Sequence, residues 1–160
     1  MIKRGLFAVI LGAMLLSASA ETFLGVEGEM LLPQGGASLG RRAGATLTAG
    51  TSLSDFWAVE GHLGVLDDAA SFGANLLGHL STFSVYDRFF GFSPFDPFFT
   101  LGARGVLCDR RGQVGPAVGA GAFYHLSEHW SLRADASALL GLDTSREVFF
   151  TLACGVQYTF

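Results

Sequence analysis

The sequence predicts an all-β fold, an eight-stranded antiparallel up-and-down transmembrane β-barrel, and three observations predict it. Half of the residues are hydrophobic and the mean hydropathy is +0.43, yet beyond Leu16 no apolar run approaches the ~20 residues of a spanning helix. The 22 glycines also argue against a helical membrane protein. Second, apolar and polar residues alternate in segments of about 10 residues separated by Gly, Pro, Asp and Ser clusters, the pattern of a barrel strand with two unlike faces. Third, the C-terminal segment sets Val148, Phe150, Leu152, Cys154, Val156, Tyr158 and Phe160 on one face and Thr151, Ala153, Gly155, Gln157 and Thr159 on the other.

The chain begins with Lys3 and Arg4, continues with an apolar run from Leu6 to Leu16, and reaches Ala18-Ser19-Ala20 before Glu21. That run is too short to span a bilayer and ends in small residues, so residues 1–20 read as a secretory signal peptide and residues 21–160 as the barrel domain. Turn signals divide the latter into strands near 22–32, 43–53, 56–66, 72–83, 98–108, 117–126, 130–140 and 148–160. These strands and short connections fill the segment, leaving no room for a second domain.

Alternation supports the strands in turn. In the first, Leu24, Val26, Met30 and Leu32 oppose Glu27 and Glu29; in the third, Trp57, Val59, Leu63 and Val65 oppose Glu60 and His62. In the fifth, Phe99, Leu101, Ala103 and Leu107 oppose Thr100 and Arg104; in the seventh, Trp130, Leu132, Ala134, Ala136 and Ala138 oppose Ser131, Arg133, Asp135 and Ser137. A soluble lipocalin-like barrel also alternates, with its apolar face inward. Trp57, Tyr124, Trp130, Tyr158 and Phe160 instead gather at the strand ends nearest the chain termini, as an interfacial girdle requires. The stretch from Phe83 to Phe95 is long for a turn and fits either an extension of the fourth strand or an aromatic segment along the interface.

Formal net charge is −4, and loss of Lys3 and Arg4 makes the remainder more acidic. A nucleic-acid partner would need a clustered basic surface, which this sequence lacks. Cys108 and Cys154 have opposite strand parity and lie on strands that are not neighbours, so two free thiols are expected.

An aromatic C-terminus on an alternating strand resembles the insertion signal of bacterial outer-membrane barrels, with Leu152, Val156, Tyr158 and Phe160 carrying it. The passage from Gly119 to Arg133 resembles the strand, tight turn and strand of OmpA-like transmembrane domains, and Pro97-Phe98-Phe99-Thr100-Leu101-Gly102-Ala103 resembles the start of that family's fifth strand. The resemblance implies an outer-membrane location, contact with outer-membrane lipid and lipopolysaccharide, and insertion by the barrel-assembly machinery. It implies no cofactor.

Within the barrel, the inward residues Glu27, Glu29, Glu60, His62, His79, Arg104, Arg133 and Asp135 form the expected lumen charge network. Centring hairpins on their turns places Glu60 opposite His79 and Thr48, and His62 opposite Thr46; Arg104 and Asp135 would flank Gly119 or Gly121. Two functions follow from such a lumen, a narrow ion path or a metal site of Glu60, His62 and His79. An eight-stranded barrel is only wide enough for side chains to fill it, so a packed interior with Arg104 and Arg133 serving the acids is the expectation.

His125 and Ser127 resemble the His-x-Ser element of outer-membrane lipid A deacylases. The acid of such a triad would have to be Asp135, which has inward parity, as does His125, whereas that chemistry faces lipid. The expectation is therefore a protein that is not an enzyme, with a structural, envelope-integrity or surface-contact role. Arg41, Arg42, Arg110, Arg111 and Arg146 fall in the predicted outer connections, where lipopolysaccharide phosphates are suitable bidentate partners. Those connections are short, which weakens an adhesive role.

Overall fold

The computed structural model describes residues 21–34, 40–81, 94–108, 111–142 and 147–160, excluding the side chain of Arg111. The expected signal peptide over residues 1–20 lies outside this set, as does most of the 83–95 stretch. Eight strands run in chain order: β1 (Thr22–Pro33), β2 (Arg42–Ser52), β3 (Trp57–Leu66), β4 (Ala69–His79), β5 (Phe95–Cys108), β6 (Arg111–His125), β7 (Trp130–Leu140) and β8 (Val148–Thr159). Each pairs antiparallel with the next and β8 closes onto β1, making an up-and-down barrel with no free sheet edge.

The wall is inside-out relative to a soluble barrel. Glu27, Glu29, Glu60, His62, Arg104 and Arg133 are buried, while Leu24, Val26, Leu47, Leu101, Val118, Leu132 and Leu152 are exposed. Alternation thus delivers polar groups to the lumen and a continuous apolar belt to the outside, which only a lipid environment would cover. At the end carrying Glu21 and Phe160, the belt closes in an aromatic girdle. Trp57 packs edge-on against Phe99 with centroids 5.7 Å apart, and Tyr158 contacts Trp130 and Phe160 at 5.0 Å each.

Two connections at that end share one construction. Leu53-Ser54-Asp55-Phe56-Trp57 and Leu126-Ser127-Glu128-His129-Trp130 each return the backbone N–H of their Leu and Ser to the carbonyl of the Trp, with Leu53 and Leu126 both at 2.8 Å. Ser54 and Ser127 each accept the Trp backbone N–H through Oγ at 3.1 Å. A Ser hydroxyl that mimics a backbone acceptor is a common way to hold such a turn.

Three strand starts differ from the sequence expectation by three residues or more, each for a local reason. β4 begins at Ala69 because the β3–β4 connection is only Asp67-Asp68, with Leu66 paired to Ala69. Asp67 takes a left-handed φ of 45°, a conformation that Asp tolerates better than most residues. Its carboxylate accepts the Ala43 N–H at 3.0 Å, which ties this turn to β2. β6 begins at Arg111, although Gly112, Gly115 and Pro116 resemble turn residues. Pro116 is accommodated because the β6–β7 ladder starts only at Ala117, so no pairing there requires its missing N–H. β5 begins at Phe95 by the same logic: the β4–β5 ladder ends at Phe98, next to Pro97.

Candidate functional site

The lumen is built in four levels, set by how far each inward residue lies along its strand. Furthest from the termini is an apolar layer of Leu31, Leu66, Ala69, Val106, Cys108, Leu139 and Phe149. An ionic layer follows, then an aromatic and aliphatic layer of Phe23, Ala58, Leu77, Phe98 and Phe123. The last level is a vestibule that opens beside Glu21 and Thr159.

Two arginines organise the ionic layer. Arg133 on β7 reaches across to Glu60 on β3 with a two-pronged contact, Nη1 to Oε2 at 2.5 Å and Nη2 to Oε1 at 3.0 Å. Its Nε donates to Asp135 at 2.9 Å and lies 3.4 Å from Glu27. Asn75 donates to the same Glu60 at 3.1 Å. Arg104 on β5 pairs with Glu29 on β1, whose other oxygen accepts from Thr46 at 2.5 Å. A planar guanidinium suits this role because its fixed fork matches a carboxylate while further N–H groups remain for neighbours.

Backbone without side chains makes the crossings feasible. Gly155 is the register partner of both Arg133 and Glu27, and a Cβ there would run into the Val26 carbonyl and the Glu27 backbone. Gly121 pairs with Asp135 and is overlain by Phe98, whose Cζ lies 2.6 Å from where a Cβ would stand. The guanidinium of Arg133 sits 5.1 Å from the Phe98 centroid and 5.5 Å from that of Phe123, joining the ionic layer to the aromatic one. The space left in the ionic layer is about 20 Å³, room for roughly one water.

The expected lumen residues do not all meet. Glu60 lies opposite Asn75 and Gly50, and His62 opposite Gly73 and Thr48, so neither predicted pairing of Glu60 nor the pairing of His62 with Thr46 is present. The shorter β3–β4 turn shifts the register and carries His79 away from the ionic layer. Arg104 lies opposite Gly115 rather than Gly119, whose β5 partner is Thr100; Gly121 does lie beside Asp135. Cys108 faces the far apolar layer and Cys154 faces outward, so the two thiols are on opposite sides of the wall.

His79 instead belongs to the vestibule. Its Nδ1 lies 2.6 Å from Asp96 Oδ2, and the Nε2 of His125 lies 4.0 Å from that same oxygen. His125 Nδ1 is 2.8 Å from Ser131 Oγ. Both imidazoles stack on Phe123 at 18° interplanar angle, with centroids 5.8 and 6.4 Å away. Asp96 and Ser131 were not anticipated as a site, yet counting back by twos from Arg104, Thr100 and Phe98 places Asp96 inward.

A deacylase-like grouping of His125, Ser127 and Asp135 does not form. Ser127 Oγ holds its turn, His125 is engaged with Ser131, and Asp135 is engaged with Arg133. Among the described residues, no group of three His, Cys, Asp or Glu side chains is placed to hold a metal ion.

At the opposite mouth, Arg42 pairs with Asp68 and Arg41 is exposed. Arg110 and Arg146 lie outside the described residues, and of Arg111 only the backbone is described. Leu152, Val156 and Phe160 are exposed on the outer face of β8 and its end, with Tyr158 between the last two in the girdle.

A closed antiparallel barrel with a polar, filled lumen and an apolar exterior is a transmembrane β-barrel. Among solved structures, its fold is that of the small eight-stranded outer-membrane barrels. The chain is similar to the N-terminal β-barrel domain of Pseudomonas aeruginosa OprF, with TM-score 0.61 and 15% identity over 89% of this chain and 100% of that one. It is also similar to neisserial surface protein A, with TM-score 0.61 and 15% identity over 88% and 97%. Similarity to Ail, the attachment invasion locus protein of Yersinia pestis, has TM-score 0.55 and 13% identity over 88% and 97%. No protein-family model matches the sequence, and no curated protein matches it.

Proposed function

We propose that this protein is a closed, non-catalytic barrel of the outer membrane that contributes to envelope integrity or surface contact, with its termini on the periplasmic side. The observation that carries the reading is the lumen: an ionic layer with room for roughly one water, held between two apolar layers. An ion entering from either mouth would have to shed its water against Phe149, Leu66 and Leu139, or against Phe98, Phe123 and Leu77. On this reading residues 1–20 direct export, and the outward β8 face of Leu152, Val156, Tyr158 and Phe160 is read by the assembly machinery.

The test joins two measurements on membrane-extracted protein. A heat-modifiable gel band reports the folded barrel, and planar-bilayer recording of the same sample is expected to show no discrete conductance steps. Discrete steps would replace this reading with a narrow ion-conducting pore. Loss of an acyl chain from lipid A on expression would replace it with a lipid-modifying enzyme.

Surface contact is assigned to lipopolysaccharide phosphates at the mouth that carries Arg41 and the strand starts at Arg42 and Arg111, with Arg110 and Arg146 in the neighbouring connections. Ail, one of the similar structures, has been crystallised with the heparin analogue sucrose octasulfate, a densely anionic ligand. Guanidinium groups suit such clustered anions because each makes two parallel hydrogen bonds. Replacing all five arginines by Gln is expected to lower retention in the outer membrane and raise polymyxin sensitivity. Unchanged values of both would remove the assignment.

A further inference from the structure

We propose that the vestibule beside Glu21 and Thr159 binds a small organic cation, an amine carried on an apolar body. It encloses about 450 Å³, within the ~300–1,000 Å³ of small-molecule sites. Its floor is the aromatic and aliphatic layer, whose Phe23, Leu77 and Phe123 all line it. That floor accounts for the body of the ligand.

The walls account for its charge. Asp96 is 8% exposed; its carboxylate has Oδ2 beside His79 and also takes a side-chain hydrogen bond from Ser81, while its Oδ1 is buried with no hydrogen-bond partner. Gln157, on another sector of the wall, is also 8% exposed and leaves Oε1 buried without a partner. Glu21 and Asp55 add carboxylates to the lining, and no Lys or Arg lines it among the described residues. Asp96 Oδ1 and Gln157 Oε1 therefore lack donors, and among the described lining residues the carboxylates of Asp96, Glu21 and Asp55 face no basic side chains other than His79 and His125. An ammonium group supplies both the donors and the opposite charge. An anion supplies neither, and a hydrocarbon would leave both acceptors dry.

Isothermal titration of the folded, full-length barrel in an uncharged maltoside micelle tests this with three probes of one shape: phenethylamine as its cation, phenethyl alcohol, and 3-phenylpropionate. The expected result is saturable binding of the cation at least tenfold tighter than the alcohol, with no binding of the carboxylate. Asp96→Asn should weaken the cation at least tenfold, and Gln157→Leu should weaken it severalfold. Glu128→Gln, which alters an exposed carboxylate in the β6–β7 turn outside the lining, should leave it unchanged. Heat-modifiable mobility certifies the fold of each variant; if Asp96→Asn does not fold, Gln157→Leu decides. Absence of saturable cation binding, equal uptake of all three probes, or undiminished cation binding in the folded variants would overturn the proposal.

Discussion

Arg133→Leu is expected to cost the barrel about 3–5 kcal/mol, the usual loss when one partner of a buried ionic group is removed. Both oxygens of Glu60 are committed to this side chain, and Asp135 and Glu27 also lie on its Nε. Leucine would leave three carboxylates facing one another in a layer with space for roughly one water, so solvent could not replace the guanidinium. Contact with Phe98 and Phe123 would be lost at the same stroke. Arg133→Lys keeps the charge but not the fork, and an intermediate loss is expected.

The same layer predicts an asymmetry. Glu27, Glu29, Glu60 and Asp135 share this layer with Arg104, Arg133 and His62, so four carboxylates meet two guanidinium groups and one imidazole, and the layer is richer in acid than in base. Glu27 makes the longest contacts, 3.4 Å to both Arg133 and Thr48. Glu27→Gln removes a surplus carboxylate while keeping its shape, and its cost should stay within about 1 kcal/mol or turn into a gain. Equilibrium urea unfolding in lipid vesicles, followed by the fluorescence of Trp57 and Trp130, gives both values. An unchanged midpoint for Arg133→Leu, or equal losses for the two variants, would refute this account of the lumen.

The strands and their faces were legible in the sequence because period-two alternation survives wherever the two sides of a wall meet different surroundings. The register was less legible, since it depends on turn length and shifts without disturbing alternation. Asp67-Asp68 resembles part of a longer loop until its left-handed backbone is seen, and the shorter turn is what moves His79 from the ionic layer to the vestibule. Pro116 and its neighbouring glycines hid the first turns of the β6 ladder because the local signal for a break is strong, while the compensating absence of a β7 partner is a tertiary fact. Asp96 was obscured in the same way by the flanking Pro94 and Pro97. Cross-barrel partners such as Arg104 with Glu29, 75 residues apart, are set only by closure.

Leu101→Arg is expected to be the most damaging single change on the outer face, costing about 2–4 kcal/mol, as for Arg at the middle of a barrel's lipid-facing wall. Leu101 is 58% exposed near the middle of β5 and is paired with Val118, also 58% exposed, near the middle of β6. On a water-facing surface such a change would be neutral or favourable, because it replaces an exposed apolar group with a charged one. In a bilayer the guanidinium has no nearby water, and the distance to either interface is greatest from this position. Leu53→Arg, in the turn at the terminal end, provides the contrast, since a charge near the interface costs about 0–1 kcal/mol. Urea unfolding in vesicles should therefore separate the two substitutions by at least ~1 kcal/mol. If Leu101→Arg were as mild as Leu53→Arg, the apolar belt would not be meeting lipid. The exposed apolar exterior would then need another cover, and the membrane-spanning assignment would fail with it.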